Sequence, residues 1–177
     1  MPCQPVAFLD RDGVLIEDVH YLSRPDQIRL LPGVPQALRD LQALGFLLAV
    51  VTNQSGVARG YLSLGQVHRV HRVLALRLRQ EGAPVPEFLV CPHHPKERCG
   101  CRKPGTFLAE QYFRHHPEAC RRRGLVVGDQ PSDMEFARRL GFVGFYLVKG
   151  GLYNPPGSFA SLAEVVTWLK AHPGFLL

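Results

Sequence analysis

Val6-Ala7-Phe8-Leu9-Asp10-Arg11-Asp12-Gly13 is a short apolar run that stops at two carboxylates one residue apart, followed by a glycine. The apolar part reads as a buried strand. If the strand continues, the Asp10 and Asp12 side chains project the same way, because strand side chains alternate with period two. Two like charges that close repel unless a cation or proton lies between them. A hard divalent cation such as Mg²⁺ suits carboxylate oxygens. A carboxylate can also attack phosphorus as a nucleophile and form an aspartyl-phosphate. Asp-x-Asp-Gly after a strand is also a common turn, so the rest of the chain decides between these readings.

Outward from this stretch, apolar runs alternate with helix-period segments. Phe46 to Val51 reads as a strand ending at Thr52-Asn53, and Glu87 to Cys91 as a third strand. Leu125 to Val127 forms a fourth, ending at Gly128-Asp129, and Val143 to Val148 a fifth. Val34, Ala37, Leu38 and Leu41 have helical spacing and close at Gly45. Ser63 with Gln66 has the form of a capping box ahead of Val67, Val70, Leu74 and Leu78 on one helix face. Ser132 with Glu135 and Ser161 with Glu164 repeat that start signal. Pro-Gly punctuation from Tyr153 to Gly157 predicts a loop before a terminal helix around Leu162 to Leu169. The alternation predicts an α/β fold, a Rossmann-like parallel sheet with helices on both faces. Ligands of such open sheets bind at the carboxyl ends of the strands, so Asp10, Thr52-Asn53 and Asp129 should share one rim.

With 177 residues, 46% of them apolar, the chain reads as one domain, 1–177, able to bury a core. No apolar run approaches the roughly 18 residues of a membrane span. Met1-Pro2-Cys3-Gln4-Pro5 lacks the charged-then-apolar pattern of a secretory signal, so a cytoplasmic enzyme is expected; a monomer is expected separately. The net charge of +6 admits nucleic acid, phosphorylated metabolites or a merely solvated basic surface. The absence of a recognised binding motif and of interleaved aromatics argues against nucleic acid. Arg121-Arg122-Arg123, just before an apolar strand, reads as a surface loop.

Phosphoryl transfer needs a nucleophile, a cation, donors for the equatorial oxygens and a proton source for the leaving group. Asp10 can be the nucleophile, and Asp12 can protonate a departing alkoxide and later deprotonate water. The Thr52 hydroxyl and the Lys103 ammonium can bind phosphoryl oxygens, and Asp129 and Asp133 can supply metal coordination. Asp10-x-Asp12-Gly, Thr52, Lys103 and Gly128-Asp129-x-x-x-Asp133 together resemble the four ordered motifs of the haloacid dehalogenase superfamily of phosphatases, over about residues 6–150. The resemblance implies that Asp10 is the nucleophile and Asp12 the acid/base. It also implies that Mg²⁺ is held by Asp10, the Asp12 backbone carbonyl and Asp129, and that the substrate is a small phosphorylated metabolite.

The segment from Cys91 to Lys103 carries three of the five cysteines, as Cys91-x-His93 and Cys99-x-Cys101. Three thiolates and one imidazole make a closed tetrahedral Zn²⁺ site of the structural type. His94 competes with His93, and the Cys-x-His pairing favours His93. A short proline-rich loop has no core of its own, so a metal is an effective way to fix it. No recognition helix accompanies the cluster, which weighs against a zinc finger. Placed immediately after the cluster, Arg102 and Lys103 should be held over the site.

This zinc loop resembles those of two related phosphatase families, the D,D-heptose 1,7-bisphosphate and the histidinol-phosphate phosphatases. Thr52-Asn53-Gln54-Ser55-Gly56-Val57-Ala58-Arg59-Gly60 is similar to the heptose family's stretch, as is Glu17 to Tyr21 to its substrate loop. By that likeness Arg11, Asp18, Tyr21, Asn53, Gln54, Ser55, Arg59 and Arg102 are expected to bind substrate. Gln130 stands where the family usually has a basic residue, and His20 where it has a glycine.

Overall fold

The computed structural model describes residues 3–148 and 157–176, and within them the apolar runs form one six-stranded parallel sheet. At its centre β1 (Gln4–Leu9) pairs with β2 (Leu47–Asn53) on one side and β4 (Ala119–Gly128) on the other. Outside β2 lies β3 (Glu87–Cys91), and outside β4 lie β5 (Val143–Leu147) and β6 (Ser158–Phe159). The strand order 3-2-1-4-5-6 places the reversal of winding at β1.

Period-two alternation divides the core between the two faces. Ala7 and Leu9 of β1 pack with α1 (Val34–Ala43), α2 (Leu64–Gln80) and α5 (Leu162–Ala171). Val6 and Phe8 point the other way, toward α3 (Phe107–His115) and α4 (Pro131–Leu140). There Phe8 lies 5.4 Å from Tyr112 and 5.9 Å from both Phe113 and Phe136, ring centre to ring centre. Strands covered on both faces have no polar side to show, which is why they read as unbroken apolar runs.

Helix starts follow the sequence at two of three places. Ser63 Oγ accepts from the Gln66 N–H at 3.1 Å while Gln66 Oε1 accepts from the Ser63 N–H at 2.7 Å. Ser161 Oγ likewise accepts from the Glu164 N–H at 3.2 Å. At α4 the cap is Gln130 rather than Ser132, and Asp133 Oδ2 accepts from the Gln130 N–H at 3.1 Å. Pro131, with its fixed φ and no N–H to leave unpaired, takes the first helical position and moves the start two residues earlier. The predicted loop at Tyr153 to Gly157 lies outside the described residues except for Gly157.

Arg121 to Arg123 are exposed as expected but belong to β4, not to a loop. Gln4 pairs with Ala119 and Val6 with Gly124, so the arginines bulge from the ladder. Beside the bulge, Cys3 and Cys120 form a disulfide between the starts of β1 and β4.

His116, ending α3, ties the edge of this face together through Glu87 Oε1 at 2.8 Å and Glu118 Oε1 at 2.9 Å. The bond to Glu87 raises its pKa above 6.5 against the opposing effect of burial, and Glu118 adds to the rise. Stability from a raised histidine is fully present below the unfolded value and lost as pH rises through the folded one. His116→Gln should therefore cost up to about 1 kcal/mol near pH 6 and progressively less toward pH 9. Urea denaturation of both proteins at the two pH values checks this.

Candidate active site

In an open α/β sheet the crevice forms at the carboxyl ends of the strands, where the winding reverses. Asp10 follows β1, Asp129 follows β4, Thr52 and Asn53 end β2, and Cys91 ends β3. The expected rim is therefore assembled, around a cavity of about 270 Å³ lined by Asp10, Asp12, Thr52, Arg102, Lys103 and Asp129 among others.

Lys103 organises its floor. The ammonium is buried and lies 2.9 Å from Asp10 Oδ1, 2.6 Å from Asp133 Oδ1 and 2.6 Å from the Val51 carbonyl. Burial alone would push Lys103 toward the neutral form, but Asp10 and Asp133 outweigh it and hold its pKa above the ordinary value. Its backbone is fixed as well, since the Lys103 N–H donates to Asn53 Oδ1 at 3.0 Å and Asn53 Nδ2 donates back to the Lys103 carbonyl at 3.2 Å. Asp133 is held by the Gln130 N–H and packs so closely on Gly128 that a Cβ there would lie 2.2 Å from its carboxylate. Only glycine fits at that position, which accounts for the glycine that precedes Asp129.

Asp10 is 8% exposed, and burial pushes its carboxyl up to about 7; Lys103 opposes the rise, and Asp133 and Asp12 add to it. One lysine does not balance this many carboxylates. Asp10, Asp129 and Asp133 each offer an oxygen within 4.8 Å of the others, a hard-oxygen donor set that fits a divalent cation such as Mg²⁺.

The Asp12 carboxylate is gripped by its neighbour. Arg11 Nε donates to Oδ1 at 3.1 Å and Nη2 to Oδ2 at 2.9 Å, while Gln54 Nε2 donates to Oδ2 at 3.0 Å and to Thr52 Oγ1 at 2.8 Å. Arg11, expected from sequence to touch substrate, is 1% exposed, with its guanidinium held by Asp12 and His71, and it borders a second cavity that adjoins the first.

The other expected substrate residues separate into groups. Asp18, Asn53 and Arg102 line the first cavity, and Tyr21, Gln54 and Ser55 line an adjoining one of about 390 Å³ that shares Asp12, Asp18, Asn53 and Gln130 with it. Tyr21 sits between His20, at 4.4 Å, and Tyr61, at 4.7 Å, with φ +54°. Gly56 makes room for it, because a Cβ there would meet the Tyr21 ring at 2.6 Å. Arg59 is exposed and lines neither cavity. One Arg102 nitrogen, Nη1, is buried without a hydrogen-bond partner. Gln130, with no charge to offer, lies 3.4 Å from Asp129 Oδ1.

Beside the rim, the sulfurs of Cys91, Cys99 and Cys101 are 3.1–3.5 Å apart, and His93 Nδ1 lies 3.0 Å from Cys101 Sγ and 3.6 Å from Cys91 Sγ. Tetrahedral ligands at 2.0–2.3 Å from zinc stand about 3.3–3.8 Å from one another, so the four donors are gathered slightly closer than that spacing, in a set whose chemistry suits such an ion. His94 instead caps the turn at Pro95–Glu97, its Nδ1 accepting from the Lys96 N–H at 3.1 Å. The cage is anchored to the β2 side by Gln54 N–H to the Cys91 carbonyl and Ala58 N–H to the Pro92 carbonyl.

One contributor escaped the sequence reading. His71 lies on the buried stripe of α2 and reaches Arg11. Its signal was a histidine at a stripe position, among Val67, Val70, Leu74 and Leu78.

Known proteins resemble this chain in sequence and fold. A family described as HAD-hydrolase-like matches residues 100–167. The D-glycero-alpha-D-manno-heptose-1,7-bisphosphate 7-phosphatase of Mycobacterium bovis is 42% identical over 135 residues, covering 75% of this chain and 71% of that protein. The D-glycero-beta-D-manno-heptose-1,7-bisphosphate 7-phosphatase of Rhodopseudomonas palustris is 38% identical over 151 residues, covering 81% of this chain and 83% of the relative. Among solved structures, the D,D-heptose 1,7-bisphosphate phosphatase of B. bronchiseptica complexed with magnesium and phosphate superposes with a TM-score of 0.81 at 29% identity, covering 95% of this chain and 99% of that one.

Proposed function

The chain belongs to the haloacid-dehalogenase-like phosphatases related to D-glycero-D-manno-heptose-1,7-bisphosphate 7-phosphatase, and from that membership we propose that its substrate is the heptose 1,7-bisphosphate, which loses its C7 phosphate. The observation that carries this reading is the convergence of Asp10, Asp12, Thr52 and Lys103 on one cavity, beside a second cavity wide enough for the rest of a sugar phosphate. The same reading takes residues 1–177 as one phosphatase domain, with zinc in the Cys91/His93/Cys99/Cys101 cage and Mg²⁺ at Asp10, Asp129 and the Asp12 carbonyl.

The side chains divide the work as follows. A carboxylate oxygen of Asp10 attacks phosphorus, and the bond from phosphorus to the C7 oxygen breaks. Asp12 gives its proton to that departing oxygen, leaving an alcohol and an aspartyl-phosphate. Asp12 then takes a proton from water as the water oxygen attacks phosphorus, releasing inorganic phosphate and restoring Asp10. Lys103 keeps Asp10 oriented and offsets charge on the phosphoryl oxygens, and the Thr52 hydroxyl donates to one of them. The chemistry supplied by Mg²⁺ is neutralisation of phosphoryl charge, so that a dianion can approach a carboxylate.

Turnover of the α and β anomers of the heptose bisphosphate, histidinol phosphate and fructose 1,6-bisphosphate, compared side by side, tests the assignment. The highest kcat/KM should fall on a heptose bisphosphate; histidinol phosphate ahead of both anomers would overturn it.

A bisphosphate also needs recognition of the phosphate far from Asp10. With Gln130 uncharged, Arg102 and its unpartnered Nη1 carry that task. Arg102→Ala should lower kcat/KM for the bisphosphate by about one to two orders of magnitude, the loss of a charged hydrogen bond worth roughly 1.5–3 kcal/mol, and should spare p-nitrophenyl phosphate. Equal losses on both substrates, together with a lower melting temperature, would mean that Arg102 only holds the zinc loop.

A further inference from the structure

We propose that the buried Arg11–His71 pair is the positioning device of the acid/base carboxylate, with His71 anchoring Arg11 and Arg11 holding Asp12 in its orientation toward the cavity. The proposal rests on the reading of Asp12 as acid and base.

Arg11 is the bulkiest of the fully buried side chains, and its guanidinium is spent entirely inside the protein. Two nitrogens hold the two oxygens of Asp12 in a fork, at 3.1 and 2.9 Å. The third, Nη1, lies 3.0 Å from His71 Nε2. Arginine has donors only, so His71 Nε2 must be the acceptor and its ring proton must sit on Nδ1. The imidazole is 4% exposed and stacks on Phe88 at 4.7 Å, with 24° between the planes. Burial first, and the Arg11 charge second, lower its pKa to about 3, which keeps the ring neutral. The Arg11 carbonyl is fixed too, accepting from the Leu15 and Ile16 N–H groups at 3.0 and 3.2 Å.

His71 fixes the end of the guanidinium remote from Asp12, so the fork meets the two carboxylate oxygens in one orientation at the edge of the cavity. Without that third contact the buried guanidinium would carry an unpaired N–H and lose the anchor that fixes its plane. Arg11 and His71 touch no substrate in this scheme; they act through Asp12.

The leaving group separates this role from a structural one. A sugar alkoxide must be protonated as it departs, whereas p-nitrophenolate leaves without a proton. His71→Leu should lower kcat/KM for the sugar phosphate about ten- to a hundredfold, with KM changing much less than kcat, because small displacements of a catalytic group cost on that order. The loss on p-nitrophenyl phosphate should be at least about fivefold smaller, since general-acid assistance does not contribute there. His71→Gln, whose Oε1 can accept from Nη1, should recover most of the activity. If His71→Leu does not fold, Arg11→Lys, which keeps a cation but cannot hold three partners in a fork, should give the same leaving-group pattern. Equal losses on both substrates, or an unchanged kcat/KM in a folded His71→Leu protein, would overturn the proposal. Asp12→Asn run in parallel tells the two failures apart: an active Asp12→Asn enzyme removes the acid/base reading itself, whereas an inactive one beside a normal His71→Leu removes only the anchor.

Discussion

Asp10→Asn should leave a folded protein whose turnover is lower by about 10⁴-fold or more, even at saturating Mg²⁺. The amide keeps the shape of the carboxylate but cannot attack phosphorus. Phosphate-monoester hydrolysis is among the slowest uncatalysed reactions, so no background route masks the loss. The fold should survive because Asp10 is a burden to it: burial holds this carboxyl near 7, and Asp133 remains to pair with Lys103 after the substitution. Circular dichroism and a steady-state assay on the same sample check both halves. Substantial residual turnover would sink the aspartyl-phosphate route.

The second large effect separates the two metals. One zinc per chain should survive a mild EDTA treatment that removes Mg²⁺ and activity together, and Mg²⁺ alone should restore turnover. The reason lies in the donors. Three sulfurs and a nitrogen close a cage with no open position, whereas the acidic trio opens onto the cavity. Removing a cage ligand should nonetheless reach the chemistry, because Lys103 follows Cys101 by two residues and its ammonium must stay 2.9 Å from Asp10. Cys101→Ser should therefore lose zinc, thermal stability and most activity at once. Activity that instead tracks zinc content at saturating Mg²⁺, with the fold intact, would make the zinc catalytic.

The legible parts of this molecule are those governed by local pattern. Strands buried on both faces announce themselves as apolar runs, and carboxylates at their ends mark the rim before any contact is known. Ser63 and Ser161 act through residues three positions away, so their helix starts could be read directly. What stayed hidden depends on partners distant in the chain. The helix α3 has only nine residues and no side-chain cap, so its buried Ala109, Tyr112 and Phe113 are too few to stand out as a stripe. The Cys3–Cys120 bridge joins residues 117 apart, with nothing in either neighbourhood to announce it. Arg11 is expected to bind substrate by family likeness alone; the hold of its guanidinium on His71, 60 residues later, has no local signal.

The position of β1 in the sheet has a consequence for how the protein is made. The strand that leads into Asp10 is synthesised well before β4, yet it lies at the centre of the sheet, and the register of its second edge pairs Leu9 with Val127. Until synthesis has passed that point, a largely apolar strand has at most one neighbour, β2, and an open edge able to pair with other nascent chains. Translation at about 5–20 residues per second makes that interval several seconds long. Ribosome pauses before β4, or truncations within it, should therefore lower the yield of soluble protein far more than equal changes after β5.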